Sequence, residues 1–153
     1  MAEFTYADEK FRILVERLID ADPFHLGHID PDTIIYLYKE EKKPKRPIRI
    51  SQIPQPYVLL TSKFYIIEIS EELVEQISNE HLEIFIYRSL RQIDCESGRV
   101  ISPDVMEWKD ILSMYGFEWQ KKSSVTSIFQ ILENRGNQEL QTDDDNNVIQ
   151  MFS

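Results

Sequence analysis

The sequence predicts an α+β domain in which a small mixed sheet of about three strands packs against four to five helices. The order of the patterns is the first reason, since a helical pattern comes first, strand-like segments follow, and helical patterns fill the second half. Composition is the second: 42% of the 153 residues are hydrophobic, which is enough for a real core. The third is glycine, whose four residues argue against an all-β fold built on many tight turns.

The first half of the chain contains one predicted helix and two or three predicted strands. Residues 7–21 place five apolar side chains at helical spacing: Phe11, Leu14, Val15, Leu18 and Ile19. Residues 33–38 (TIIYLY) and 64–69 (FYIIEI) are rich in β-branched and aromatic side chains, as strands are. Another strand is expected to start near residue 48, after a loop in which Pro44 and Pro47 oppose regular structure.

Capping and breaking residues place the helices of the second half. Ser70 is the predicted N-cap of a short helix, and Asn79 that of a longer helix over residues 80–94. A further helix is expected from Ser102 onward, with proline at its first position, and another over residues 123–133. We therefore expect a domain over residues 1–122, a C-terminal helix over residues 123–135 and a flexible acidic tail over residues 136–153.

The charge balance and the single cysteine limit the classes of function. A net charge of −10 opposes non-specific attraction to nucleic acid or to anionic membranes. No segment approaches the roughly 20 apolar residues of a membrane span, and the acidic N-terminus is unlike a signal peptide. Cys95 stands alone, which fits a reducing cytoplasm, and we expect it to be a small apolar filler rather than a nucleophile. No cofactor is expected.

Three segments of the chain carry an order and spacing typical of one protein family. The first is TIIYLYKEEKKPKR, a strand that ends in a charged loop, and the second is FYIIEISEELVEQISNEHLEIFIYRSL, a strand followed by a turn and a helix. The third is DCESGRVISPDVMEWKDILSMYGFEW, which contains Asp104-Val105, Glu107-Trp108 and Tyr115-Gly116 through Trp119. Together, over residues from about 10 to 119, they resemble the phage metallopeptidase domain family. The resemblance implies a zincin-like fold and a phage or prophage origin.

The residues that carry chemistry in that family are replaced in this chain. The family's second segment ends in a His-Glu-x-x-His helix, where two histidines bind zinc and the glutamate is the general base. Tyr87 stands at the first histidine, Arg88 at the glutamate and Arg91 at the second histidine, while Pro103 replaces a third histidine before Asp104. Arginine offers no lone pair to a metal. The resemblance thus implies the fold but argues against the activity, and no metal ligand is assigned.

The replaced positions suggest a binding cleft formed by Tyr87, Arg88, Arg91 and Asp104. In one interpretation, a cationic side chain takes the place of the zinc ion and receives an acidic group of a partner. In the simpler one, Arg91 pairs with a neighbouring acid such as Asp94 or Glu107. The leading hypothesis is a catalytically inactive protein that binds a protein partner, as a host-directed inhibitor or anti-defence factor. The expectation that the partner is a host protein rests on the phage origin of the family alone.

Two alternative functions rest on other residues. An active zinc metallopeptidase with displaced ligands would use His25, His28 and His81, completed by Cys95 or a carboxylate. A DNA-associated accessory factor would use the basic loop over residues 42–49, and its candidate contact residues are Lys42, Lys43, Lys45 and Arg46. The simpler interpretations are surface histidines and a solvated loop between strands.

The C-terminal end of the chain is a candidate docking peptide. It places four residues on the acidic tail that could dock as a short linear motif: Ile149, Gln150, Met151 and Phe152. Gln150, Met151 and Phe152 resemble the short pattern by which bacterial replication proteins bind the sliding clamp. An apolar tip on a flexible acidic segment suits partner capture.

Overall fold

The computed structural model describes residues 2–101, 115, 119–121 and 124–133. In chain order, the helices and strands with defined bounds are β1 (Glu3–Tyr6), α1 (Lys10–Ala21), α2 (Pro23–Leu26), β2 (Ile34–Glu40), β3 (Ile48–Gln52), α3 (Tyr57–Thr61), β4 (Tyr65–Ile69), α4 (Glu71–Glu75) and α5 (Asn79–Leu90). Short 3-10 turns occupy Pro31–Thr33 and Trp119–Lys121, and residues 128–133 are helical. This confirms the predicted α+β class.

The sheet has four strands in the order β1-β2-β4-β3. The central strands β2 and β4 are parallel, whereas β1 and β3 run antiparallel to their neighbours at the two edges. The mixed sheet is therefore confirmed, with one strand more than the three expected. The additional strand is β1. Its four residues are all exposed, so no alternation of buried apolar residues indicates a strand there.

The hydrophobic core lies between one face of the sheet and helices α1 and α5. From β4 the core takes Tyr65, Ile67 and Ile69, while the residues between them face the other side of the sheet. Helix α1 contributes the apolar stripe predicted for it, and its buried members are Phe11, Val15 and Leu18. Helix α5 is buried over most of its surface, which makes it the central helix of the domain.

Serine side chains cap two of the helices. Ser70 was predicted as a cap, and its Oγ accepts a hydrogen bond from the backbone N–H of Leu73. The cap of α5 is Ser78, not Asn79, because the Oγ of Ser78 accepts from the N–H of His81 at 3.1 Å. The prediction that α5 extends to residue 94 is also wrong. The helix ends at Leu90, since the backbone of Ile93 pairs with Val100 in a β-bridge.

The helix predicted to begin near residue 123 starts later in the structure, at residue 128. The carboxylate of Glu83 on α5 explains this boundary. Its Oε2 accepts hydrogen bonds from the Oγ of Ser127 at 2.8 Å and from the backbone N–H of Ile128 at 3.3 Å, and so caps the helix. Of the helix expected from Ser102 onward, the structure describes Tyr115, which is helical, and the acidic tail over residues 136–153 lies outside the described residues. No helix among the described residues is long and apolar enough to cross a membrane.

Candidate functional site

Tyr87, which the sequence resemblance aligned with the first histidine of the family motif, lies inside the protein. Its side chain is fully buried on α5, and its hydroxyl donates a hydrogen bond to Oδ2 of Asp22 at 2.5 Å. Asp22 is itself buried, at the junction where α1 ends and α2 begins. The same carboxylate oxygen accepts from Nδ1 of His25 at 2.9 Å. The tyrosine and the histidine thus converge on one carboxylate and connect α5 to the α1–α2 corner.

The two arginines of the replaced motif lie at the C-terminal end of the same helix. Arg91 is the residue directly after α5, and its guanidinium lies 5.8 Å from the centroid of the Tyr87 ring, which is a cation–π distance. Arg88 and Arg91 are both partly exposed. Asp94, one predicted partner of Arg91, accepts hydrogen bonds from the backbone N–H and the hydroxyl of Ser97, which lower its pKa. Asp104, the remaining residue of the predicted cleft, lies outside the described residues.

The three histidines have separate hydrogen-bond partners. His81 is buried, and its Nε2 donates to the carbonyl oxygen of Trp119 at 3.1 Å while its Nδ1 lies 2.6 Å from the Oγ of Ser78. A carbonyl oxygen only accepts, so Nε2 is the donor in this contact. His28 donates from Nε2 to the carbonyl oxygen of Ile93 at 2.9 Å. Both rings therefore have structural roles.

Within the part of the chain that the structure describes, no three His, Cys, Asp or Glu side chains lie close enough together to hold a metal ion. Cys95, which was expected to be an apolar filler, is exposed. That expectation is wrong because the residue belongs to a surface loop after α5 and not to the helix itself. The predicted set of displaced ligands is thus not brought together among the described residues.

The basic loop forms one side of a concave site that we call the basic cavity. Its volume is about 440 Å³, and five cationic side chains line it: Lys39, Lys43, Lys45, Arg46 and Arg49. Three of them belong to the predicted set, whereas Lys42 is exposed and does not line the cavity. Lys39 and Arg49, the first and last basic residues of the same stretch of sequence, come from β2 and β3. They were not among the four candidate residues, and the strand pairing shows that they lie beside the loop. Two carboxylates, Glu41 and Glu68, and Ser70 complete the lining.

The opposite end of the sheet carries a second concave surface, the apolar groove, with a volume of about 900 Å³. Its lining includes Ile53, Pro54, Val58, Phe64 and Cys95. Helix α3 lies beside it and has no buried residue; Leu59 is 80% exposed and Leu60 77%. Sequence reasoning missed this feature. The available signal was PQPYVLL, an apolar run after two prolines that fits neither strand alternation nor a long helix.

Tyr65 lies on the floor of the apolar groove. Its hydroxyl donates to the carbonyl oxygen of Gly98 at 2.5 Å, and burial raises its pKa above the ordinary value. Gly98 has a positive φ of 71°, a conformation that favours glycine. The hydrogen bond and the glycine together fix the loop that carries Cys95. The C-terminal candidate peptide, from Ile149 to Phe152, lies outside the described residues.

The family comparison agrees with the resemblance found in the sequence. The model of the family described as "Putative phage metallopeptidase" matches residues 3–125. The chain belongs to this family. The match includes β1, which lies before the segments that suggested the resemblance, and it extends past Trp119. Searches of curated proteins and of solved structures gave no match.

The Tyr-Gly-x-x-Trp segment lies near the end of the region that the family model matches. Trp119 is almost fully buried and packs against Phe85 of α5 with ring centroids 5.0 Å apart. Tyr115 is buried beside Trp119, with ring centroids 6.3 Å apart. The hydroxyl of Tyr115 donates to the carbonyl oxygen of Thr126. In this family member the segment therefore stabilises the helix that carries Tyr87.

Proposed function

We propose that this chain is a catalytically inactive member of the phage metallopeptidase family that acts by binding a protein partner. The hydrogen bond from the buried Tyr87 to Asp22 is the observation that carries the proposal. It gives the position of the first family histidine an internal structural role. A zincin-like fold and a cytoplasmic location are parts of the same proposal.

The chemistry of the replaced positions does not fit a zinc ion. A zinc site needs lone pairs from three or four side chains that face one point. Arg88 and Arg91 offer only donors, and their positive charge repels a dication. Tyr87 has an oxygen, but that oxygen is buried and already donates to Asp22. These three residues therefore supply no group for zinc-dependent hydrolysis.

A protein-binding role is supported by the exposed apolar surface around α3. Tyr57, Leu59 and Leu60 present large apolar side chains to solvent beside the apolar groove. Contiguous apolar patches on a protein surface mark interaction sites, because their burial by a partner is favourable. The phage family supplies the reason to seek the partner among host proteins, and an inhibitory or anti-defence role is the form of the proposal that we prefer.

A peptidase assay separates this proposal from the alternative of an active enzyme with displaced ligands. Full-length protein is incubated with labelled casein and with zinc, in the presence and absence of a chelator. We expect no cleavage that the chelator abolishes. Chelator-sensitive cleavage that is lost in His25→Ala, His28→Ala or His81→Ala would establish the alternative in place of our proposal.

The binding role is tested by capture of a partner with a matched pair of variants. Leu60→Ser alters the apolar surface at α3, and Phe24→Ser changes another highly exposed apolar residue elsewhere. The wild-type protein is used to capture proteins from host lysate, and the captured protein is then tested in purified form. We expect Leu60→Ser to weaken this binding and Phe24→Ser to retain it. Equal binding by both variants would remove α3 from the proposal.

The basic cavity favours a second candidate, the DNA-associated accessory factor. Lys43, Lys45 and Arg46 converge there with two cations from the sheet. Salt-dependent binding of DNA that is weakened by alanine at these positions would support this function. An absence of binding at low salt would exclude it.

A further inference from the structure

The basic cavity is built by two strands and the loop that joins β2 to β3. Leu37 of β2 and Arg49 of β3 both pair with Glu68 of β4. Lys39 is two residues after Leu37, so strand alternation places its side chain on the same sheet face as those of Glu68 and Arg49. This face is opposite the one that packs against α1 and α5. The sheet therefore supplies a fixed floor with two cations and one carboxylate.

The connecting loop closes the cavity from the side. Pro44 and Pro47 restrict its backbone, and the carbonyl oxygen of Pro47 accepts a hydrogen bond from the N–H of Ser70 at 2.9 Å. This bond ties the loop to the end of β4. The loop cations Lys43, Lys45 and Arg46 are thus held beside the sheet and not on an unattached segment.

The cavity contains more positive charge than its own carboxylates neutralise. Lys39 is the cation that contacts them, since its Nζ lies 3.8 Å from Glu41 and 3.7 Å from Glu68. Among the described residues, no ion pair involves the other four cations of the lining, which are Lys43, Lys45, Arg46 and Arg49. An anion that enters the cavity meets these four cations without having to displace a carboxylate from them.

The neighbouring surface determines which anion fits. An adjacent concave region shares Lys39, Glu41 and Ser70 with the basic cavity but is acidic, and four further glutamates line it: Glu40, Glu71, Glu72 and Glu75. A nucleic-acid strand that ran past the basic cavity in this direction would meet these carboxylates and the net charge of −10. A compact anion would contact the cations of the basic cavity without reaching these carboxylates. The cavity volume of about 440 Å³ lies within the range of small-molecule sites.

From this arrangement we infer that the basic cavity binds a compact phosphate compound with several negative charges, such as a pyrophosphate or the phosphate groups of a free nucleotide. Arginine and lysine together suit phosphate, because the planar guanidinium donates two parallel hydrogen bonds and the ammonium groups add point charge. The site is separate from the apolar surface at α3 and goes beyond the proposed protein-binding function.

Calorimetric titration of the full-length protein with inorganic pyrophosphate tests the inference. We expect saturable binding at one site per chain at low salt. The double variant Lys45→Ala/Arg46→Ala should weaken binding by about 10-fold or more, because it removes two charge-assisted contacts. Lys42→Ala is the matched control, since Lys42 belongs to the same loop but does not line the cavity. Its effect should be below about 2-fold.

Parallel titrations distinguish the possible sources of the phosphate. A nucleoside triphosphate should compete with pyrophosphate, whereas a single-stranded oligonucleotide should bind more weakly than either. The inference is overturned by an absence of saturable pyrophosphate binding at low salt, or by equal losses in Lys42→Ala and the double variant. Tighter binding of the oligonucleotide, with Lys42→Ala also weakening it, would instead assign the loop to nucleic acid. Circular dichroism of each variant checks that the fold is retained.

Discussion

The surroundings of Tyr87 and the basic cavity differ in burial and in how their polar groups are used. Tyr87 is fully buried, and its hydroxyl bonds a buried carboxylate. In the basic cavity, the cations of the loop and of β3 are exposed, and among the described residues they form no ion pair. A buried, internally bonded group mainly stabilises the fold, whereas exposed convergent charges are available to a ligand. Tyr87 thus has a structural role, whereas the basic cavity presents charges that a ligand could reach.

The largest effect is expected from truncation of the core beside α5. Trp119 is 1% exposed and packs against Phe85 and Tyr115. Trp119→Ala should lower the free energy of unfolding by about 3–5 kcal/mol, because it removes a large buried ring and leaves a cavity. Urea denaturation followed by circular dichroism measures the loss. A loss below about 1 kcal/mol would show that this segment does not support the helix that carries Tyr87.

A smaller loss is expected when only the hydroxyl of Tyr87 is removed. Tyr87→Phe should cost about 1–3 kcal/mol of unfolding free energy, since the buried carboxylate of Asp22 loses a donor. Tyr6→Phe is the control, because Tyr6 is 85% exposed and its hydroxyl makes no comparable buried bond. The same urea titration compares the two. If Tyr87→Phe is as stable as the control, the hydrogen bond has no structural role and the contrast with the basic cavity disappears.

Substitution in the basic cavity should leave stability nearly unchanged. Arg46→Ala removes an exposed charge, and we expect a change in unfolding free energy within about 0.5 kcal/mol of zero. Thermal unfolding of the variant and of the wild-type protein, measured side by side, detects any larger change in stability. A loss of unfolding free energy comparable to that of Tyr87→Phe would mean that the loop stabilises the fold and is not simply a surface available to a ligand.

The smallest effect is expected at an exposed ion pair outside both regions. The guanidinium of Arg12 donates to Oδ1 of Asp32 and lowers the pKa of that carboxyl from 3.8. Because the pKa of Asp32 is lower in the folded state, the ion pair stabilises the fold fully above pH 3.8. This stabilisation is lost as the pH falls through the lower pKa of the folded state. Arg12→Ala should return the pKa of Asp32 toward 3.8, as measured by NMR titration of the side-chain carboxyl. An unchanged pKa would show that the pair does not form in solution.

The helices and strands that the sequence predicted are those whose own residues show the apolar spacing typical of a helix or a strand. Helix α1 and strands β2 and β4 have apolar side chains at the spacing of their structures, and each was placed within a few residues. Strand β1 was missed because it depends on pairing with β2 and buries nothing. Helix α3 was missed for a similar reason, since its five residues are too few to repeat an amphipathic pattern.

The sites could be predicted only as far as their residues are adjacent in sequence. The basic loop was recognised from its composition, but Lys39 and Arg49 join it through the register of three strands. Asp22 was not among the predicted site residues, and its contact with Tyr87 spans 65 residues of the chain. Contacts at such separations follow from tertiary packing, which local periodicity does not encode. Asp104 and the C-terminal peptide stay predictions.

The measurement that tests the central claim most directly is the zinc content of the untagged full-length protein. The protein is produced in zinc-supplemented medium, dialysed against metal-free buffer and analysed by mass spectrometry for zinc per chain. We expect far less than one zinc per chain, because Tyr87 is bonded internally and Arg88 and Arg91 offer no lone pair. One tightly bound zinc per chain would contradict the account and would favour an active zinc metallopeptidase instead.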